Sequence, residues 1–478
     1  MQITQKQFLT DQSYHTEEIM QALQNEQLKM TGQIDSEINT LNQLYSQTVL
    51  EPNQLCKLDL LLQDISIQLR QVQLYQMELA GGTSGGHEYP VALVITKQPF
   101  PMVISKFKQL QEDHLCVQML TGAKNDIVSF STIKAELIFH SKSLTKSSSS
   151  VGGANGNSNQ QNSQQQSQPS SSMKRHIDKD TQVLDPVKGI AKFPIKFLTG
   201  TRKSCVKIHF LLQIKTADGQ IIQVPSQSSQ PFIVITNDCQ WEGSEGTLLK
   251  KESFSEKFEI TWPHFVNILQ KHFLKATKQS PIQPTRPLSN YDFVYLNLTF
   301  FQHKTSVSHK DFDQFWTWFG KCIQTLRYKR HISTLWQIGL IFMFLKRDVV
   351  NMILKDQPPG TFCILFSETF PGQLEISYIP NNSKDENNNN NNSTDSKVKH
   401  YLVQPNDTSG SKKTLPDFLN ECPQFTHILQ LNVSAISQYQ PDTVPSFKRE
   451  SKNQVLEPYY SKRQLSTNIL GSGYDPLI

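Results

Sequence analysis

The sequence is poor in the features that mark an enzyme or a membrane protein. Its seven cysteines, at 56, 116, 205, 239, 322, 363 and 422, are scattered without a CxxC pair. That spacing excludes a disulfide scaffold and a cysteine zinc site, and it fits a reducing cytosolic or nuclear setting. The longest strongly apolar run, Leu340 to Leu345, is far short of the roughly 18 residues that cross a bilayer. The opening MQITQKQFLT has no apolar signal-peptide core, so no membrane insertion is expected. Charge of one sign is also scarce: a net +5 says little about a nucleic-acid partner unless the charge collects somewhere. Phosphate-binding glycine loops, zinc-ligand spacing and a nucleophile-base-acid order are all missing. Cys363 alone invites an enzyme reading, but it sits in an apolar strand pattern with no histidine nearby in sequence. Catalysis, a cofactor and a metal are therefore not expected.

What is present divides the chain. Its 478 residues exceed one core and suggest about three or four domains. In the first 80 residues Gln and Leu dominate; Leu58, Leu62, Ile65, Leu69, Val72 and Leu79 keep a seven-residue apolar pattern, and Ile34, Ile38, Leu41 and Tyr45 form a second stripe. Glu51-Pro52-Asn53 reads as the turn between two helices, and Gly81 to Gly86 as a flexible hinge. Strand patterning follows at Val91 to Ile95, Cys205 to Leu212 and Phe232 to Thr236, predicting a sandwich of two antiparallel sheets. Within it, 146–172 is a Ser, Gln and Asn tract that cannot repay its ordering entropy and reads as a disordered loop. Between Pro186 and Lys215, Lys188, Lys192, Lys196, Arg202, Lys203, Lys207 and Lys215 occur with no acidic residue. Helical patterning returns after Trp241, where Phe312, Phe315, Trp316, Trp318 and Phe319 have core-like spacing. Asp311 and Asp313 lack the glycine and terminal glutamate of a calcium loop, so calcium binding is not expected.

The segment from Leu354 to Glu368, LKDQPPGTFCILFSE, resembles the phosphotyrosine pocket of a Src homology 2 domain. Together with SQPFIVITNDCQ (229–240), FWTWFG (315–320), LWQIGLIFMFLKRD (335–348) and GSGYDPLI (471–478), it resembles the core of the STAT transcription factors, in a form like that of social amoebae. The resemblance implies a multidomain α+β chain: coiled-coil helices over 1–80, an immunoglobulin-like DNA-binding β-sandwich over 87–240, a helical linker over 241–334, a Src homology 2 domain over 335–440 interrupted by an Asn-rich insertion at 381–397, and a tail over 441–478. Against the longer coiled coil and preceding oligomerisation domain usual in the family, the N-terminal region reads as shortened.

Carried over by position, Lys355, Ser367, Glu368 and Thr369 match residues around the phosphate, whereas Leu365 stands where the family keeps an arginine. An isobutyl group offers neither the charge nor the paired donors of a guanidinium. Two readings follow. Either the pocket binds phosphotyrosine weakly, helped by reciprocal contacts in a dimer, or the groove is a constitutive interface independent of phosphate. Tyr474 is the matching substrate for a tyrosine kinase, while Tyr459 and Tyr460 fit the packed segment before the tail. For DNA, Asn237 matches a family asparagine that reaches base edges, and Lys196, Arg202 and Lys203 are candidate backbone contacts. The implied protein is a homodimeric regulator, cytoplasmic and nuclear, that binds a TTC/GAA palindrome and uses its coiled coil for partner proteins. The rival is a cytoplasmic adapter that has lost phosphotyrosine switching and DNA binding.

Overall fold

The Gln- and Leu-rich patterning produces long helices in the computed structural model, which describes residues 1–14, 16–84, 89–124, 127–139, 176–202, 204–217, 219–342, 344–381, 398–408, 413–438 and 445–461. The tract 146–172, most of the Asn-rich insertion, Lys203 and Tyr474 lie outside the described residues. The chain divides into two units, one of residues 1–34 and 65–244, the other of residues 35–64 and 245–478. Helices α1 (Gln2–Thr10), α2 (Glu17–Gln47) and α3 (Pro52–Ser84) lead. Leu58, Ile65, Val72 and Leu79 are buried along α3, as the apolar stripe requires. The hinge expected from Gly81 does not begin there, because α3 runs on to Ser84. A helix that is already nucleated gains one hydrogen bond per added residue, which offsets glycine's cost of about 1 kcal/mol.

In the first unit the end of α3 is tied to the β-sandwich by one carboxylate. Glu78 accepts the backbone N–H groups of Ala123 and Lys124, each at 2.8 Å, and the side chain of fully buried Gln5 at 2.8 Å. Gln5 also donates to the Tyr75 carbonyl and accepts from Gln27, so it joins α1, α2 and α3. Gly122 is required beside Glu78, since a Cβ there would collide with the carboxylate. Glu78→Ala is expected to lower the urea-unfolding free energy of this unit by about 2 kcal/mol, the scale of charge-assisted bonds lost with their donors left buried.

The sandwich follows from strand alternation. Its strands are β1 (Val91–Lys97), β2 (Val103–Ser105), β3 (Cys116–Thr121), β4 (Ile127–Phe130), β5 (Ile133–Phe139), β6 (Ile177–Asp178), β7 (Thr181–Gln182), β8 (Ile190–Lys192), β9 (Lys196–Phe197), β10 (Val206–Thr216), β11 (Ile221–Pro225) and β12 (Ile233–Ile235). One sheet has the order β1-β3-β8 and the other β11-β10-β5-β7, with β4 also on β10. Val206, Ile208, Phe210, Leu212 and Ile214 of β10 point inward and are buried, where they meet Val117, Ile133, Phe193 and Phe232 in one core. β2 and β12 pair in parallel.

In the second unit the α2–α3 connection docks through Asn267, whose amide donates to the Tyr45 and Thr48 carbonyls while its oxygen accepts the Leu50 N–H. The helices α4 (Trp241–Phe254), α5 (Trp262–Ala276), α6 (Asn290–Leu296) and α7 (His309–Tyr328) surround an aromatic core, and a short pair joins β13 (Glu259–Thr261) to β14 (Ser306–Ser308). Phe312, Phe315, Trp316, Trp318 and Phe319 are all buried. Asp311 is used in the capping box of α7 and bonded to Lys304, and Asp313 is paired with Lys250. Among the described residues no group of His, Cys, Asp and Glu could hold a metal ion.

After α8 (Ile332–Gln337) and α9 (Arg347–Leu354), the strands β15 (Thr361–Phe366), β16 (Leu374–Tyr378), β17 (Lys399–Leu402), β18 (His427–Leu431) and β19 (Phe447–Ser451) form one sheet in the order β17-β16-β15-β18-β19, with α10 (Leu415–Glu421) before β18 and α11 (Lys452–Leu456) after β19. Val350, Ile353 and Leu354 of α9 pack on Cys363 and Leu365. Phe362 and Phe366, pointing the other way, meet Phe425 and the Trp336 and Phe344 rings. The sheet does not stop at the expected residue 440, because β19 extends it to Ser451.

Candidate functional site

Two segments of the β-sandwich flank β12, the strand that leads to Asn237. Pairing of β2 with β12 brings Lys106 alongside, its N–H donating to the Ile235 carbonyl at 2.7 Å. On the other flank, Thr201 donates to the Val234 carbonyl at 2.9 Å and its hydroxyl accepts the Val234 N–H at 3.2 Å. The 105–109 segment is in turn held to β9 by the Phe107 N–H bond to the Phe197 carbonyl and by a bridge between Gln109 and Lys196. Asn237 itself is exposed and extended, and its side chain makes no capping bond to the turn it precedes. Arg202 is exposed beside Thr201, Lys196 is half-buried on β9, and Lys203 lies outside the described residues.

The sequence reading missed Lys106 and Lys108. They stand outside the basic window, and only the parallel β2–β12 pairing reveals them. Phe107 between them is 58% exposed at a positive φ of 66°, with the Lys106 ammonium 4.3 Å from its ring centroid. Lys192, inside the window, is instead paired with Asp113 at 2.7 Å.

In the C-terminal sheet, Leu365 is buried, and it faces Glu375 directly across the β15–β16 pair. Glu375 is 3% exposed. Its carboxylate receives both arms of Arg347, the first residue of α9: Nε at 3.1 Å and Nη2 at 2.8 Å. His400 of β17 approaches the same carboxylate at 3.3 Å and shares its Nδ1 with the Ser377 hydroxyl. Burial, then the Arg347 charge, pulls His400 below the ordinary histidine range, so at neutral pH it faces Glu375 uncharged.

Ser367 is buried with its hydroxyl turned to the Phe370 N–H, while Glu368 and Thr369 are exposed. Glu368 accepts the Arg347 backbone N–H at 3.4 Å. Lys355, expected in this group, caps the far end of α9 and is exposed, about 12 Å along the helix from Arg347 at 1.5 Å per residue. The guanidinium that pairs with Glu375, the cross-strand partner of Leu365, is that of Arg347, which the sequence reading passed over inside the LKRD string. Cys363 is fully buried, and desolvation pushes its thiol up, so it is not poised as a nucleophile. Tyr460 is packed, its hydroxyl donating to Asn453, and Tyr459 lies against His331.

Coiled-coil helices, an immunoglobulin-like sandwich, an aromatic helical block and a sheet flanked by helices, in this order, are the architecture of the STAT class. Three family models match in register: "Dictyostelium STAT, coiled coil" over 1–90, "STATa Immunoglobulin-like domain" over 91–235 and "EF-hand fold domain" over 237–329. The chain is similar to STAT proteins over nearly its whole length. It is 69% identical over 492 residues to signal transducer and activator of transcription B of Dictyostelium discoideum, and 41% identical over 463 residues to signal transducer and activator of transcription A of the same organism. These alignments cover 100% and 96% of this chain but 41% and 59% of the relatives.

Proposed function

We propose that the chain is a non-enzymatic transcription regulator of tyrosine-kinase-linked signalling, cytoplasmic and nuclear, that binds DNA as a homodimer. The observation that supports this reading is the backbone pairing that sets Lys106 and Thr201, the neighbour of Arg202, along β12 just before Asn237, and Lys196 against Gln109, in a sandwich matched by the STATa immunoglobulin-like domain. In this reading Asn237 reads base edges through its amide, and the cations hold phosphates without selecting sequence. Gel mobility shifts with a TTC/GAA palindrome test it. Asn237→Ala is expected to reduce discrimination against a scrambled duplex about tenfold. Lys106→Ala is expected to weaken both duplexes alike and flatten the salt dependence by about one unit of log–log slope. Equal binding of both duplexes by the unaltered chain would sink the proposal.

The adapter reading is favoured by a different observation, the apolar Leu365 facing an already paired Glu375. Occupancy of promoters in the nucleus would sink the adapter reading, and solution mass with Tyr474 phosphorylated and unmodified tests the loss of phosphotyrosine switching that it includes. A dimer only after phosphorylation supports switched assembly, and equal masses support assembly uncoupled from phosphate.

A further inference from the structure

We propose that Glu375 determines what the pocket in the C-terminal sheet refuses: it occupies Arg347 as an internal counter-ion and excludes phosphotyrosine, over and above the loss of the arginine at Leu365. The inference rests on reading this sheet as a phosphotyrosine-type domain. Its ground is geometric. A phosphate would be held by two parallel donors of a guanidinium. At Arg347 one of the guanidinium's two donor edges, Nε with Nη2, is already spent on the two oxygens of one carboxylate, whose charge the guanidinium neutralises. That carboxylate is buried and cannot turn to solvent.

Among the described residues the carboxylates hydrogen-bonded to Arg347 are two: Glu375, and Glu368, which accepts its backbone N–H. His400 is neutral, and Lys355 is at the opposite end of α9. The buried negative charge of Glu375 opposes an incoming dianion at the guanidinium it already neutralises. Phosphate binding at the Nε–Nη2 edge would also have to strip Arg347 from Glu375, leaving that carboxylate buried and unpaired.

The test uses the full chain and a peptide of residues 465–478, phosphorylated or unmodified at Tyr474, with binding followed by fluorescence polarisation. The unaltered chain is expected to show no preference for the phosphorylated form. Glu375→Gln, which keeps the side chain's shape but removes its charge, is expected to create a preference of about tenfold, equivalent to one charge-assisted hydrogen bond. Adding Arg347→Gln is expected to abolish that gain. Glu375→Thr provides a second neutral side chain should the glutamine variant fail to fold, which its melting curve reports. A tenfold preference already present in the unaltered chain, no gain in either folded Glu375 variant, or a gain that survives loss of Arg347 would overturn the inference and leave the domain reading standing. Failure of every variant to bind either peptide would remove the domain reading and the inference together.

Discussion

Replacing Arg286 by methionine is expected to destabilise the second unit by about 4 kcal/mol, within the range seen when one partner is removed from a buried charged network. The side chain is wholly buried. Its Nη1 donates to the carbonyls of Trp336 and Ile341, each at 2.6 Å, and its Nη2 donates to that of Phe342 at 3.0 Å. Its planar carbon lies 3.8 Å from the Trp336 ring centroid, a desolvated cation–π contact. Burial pulls its pKa down to about 10, with Asp292 nearby opposing the shift. At neutral pH it is still charged.

Methionine fills much of the volume but removes the guanidinium donors from three carbonyls, of which that of Trp336 keeps the Gly339 N–H. Arg286→Lys keeps the charge yet offers no planar fork, so it is expected to recover less than half of the loss. Urea unfolding followed by tryptophan fluorescence reports both variants, because Trp336 forms one wall of the site. A methionine variant within about 1 kcal/mol of the unaltered chain would mean that the bonds contribute little net stability.

Stability should also fall as pH rises from mildly acidic to alkaline, through His272. This ring is buried between carboxylates, with Nδ1 at 2.6 Å from Glu245 and Nε2 at 3.1 Å from Glu252. Carboxylates only accept, so both ring nitrogens must donate, and the fold therefore selects the imidazolium. Desolvation pushes its pKa down, but the two carboxylates outweigh this and the net shift is upward. A folded pKa raised above the unfolded one means that the group's contribution is fully present below about pH 6.5 and is lost as pH climbs through the folded value.

Glu252 works in the opposite sense. Burial alone would raise it, but Lys271 and His272 hold it well below the usual carboxylate range. Its contribution is present above the ordinary glutamate value and is lost only in stronger acid. Unfolding free energies measured from pH 5 to 9 are expected to decline towards the alkaline end. His272→Gln should flatten that decline. His272→Ala should cost about 3 to 5 kcal/mol at pH 6, because it leaves buried Glu245 without its cation. A slope that persists in the glutamine variant would assign the titration to another group.

Neither of these two sites could be read from the sequence, for a definable reason. Arg286 stands in PTRPLSN, between prolines and polar residues, a composition that reads as an exposed turn. Only the fold brings the carbonyls of Trp336, Ile341 and Phe342, some 50 residues away in sequence, around it. His272 sits in an ordinary amphipathic helix whose partners belong to α4. Local patterns were legible where period decided the outcome: the alternation of β10 and the aromatic face of α7 are buried as their spacing requires, and Leu58, Ile65, Val72 and Leu79 are buried on α3, while Leu62, Leu69 and the stripe Ile34, Ile38 and Leu41 are only half-buried. The pocket was half legible. Leu365 drew attention because the segment around it resembles one that keeps an arginine there, but nothing in the sequence links Arg347 to Glu375, which are joined only by the register of β15 with β16 and the placement of α9. Lys106 was hidden in the same way by a parallel strand pair.

Leu365 has become part of the wall that keeps its domain folded. It packs with Phe342, Leu345, Val350 and Ile353 in one apolar cluster, so an arginine placed at 365 would have to bury its charge there, beside a carboxylate that Arg347 already holds. The position therefore resists a cation for reasons of stability as well as of binding.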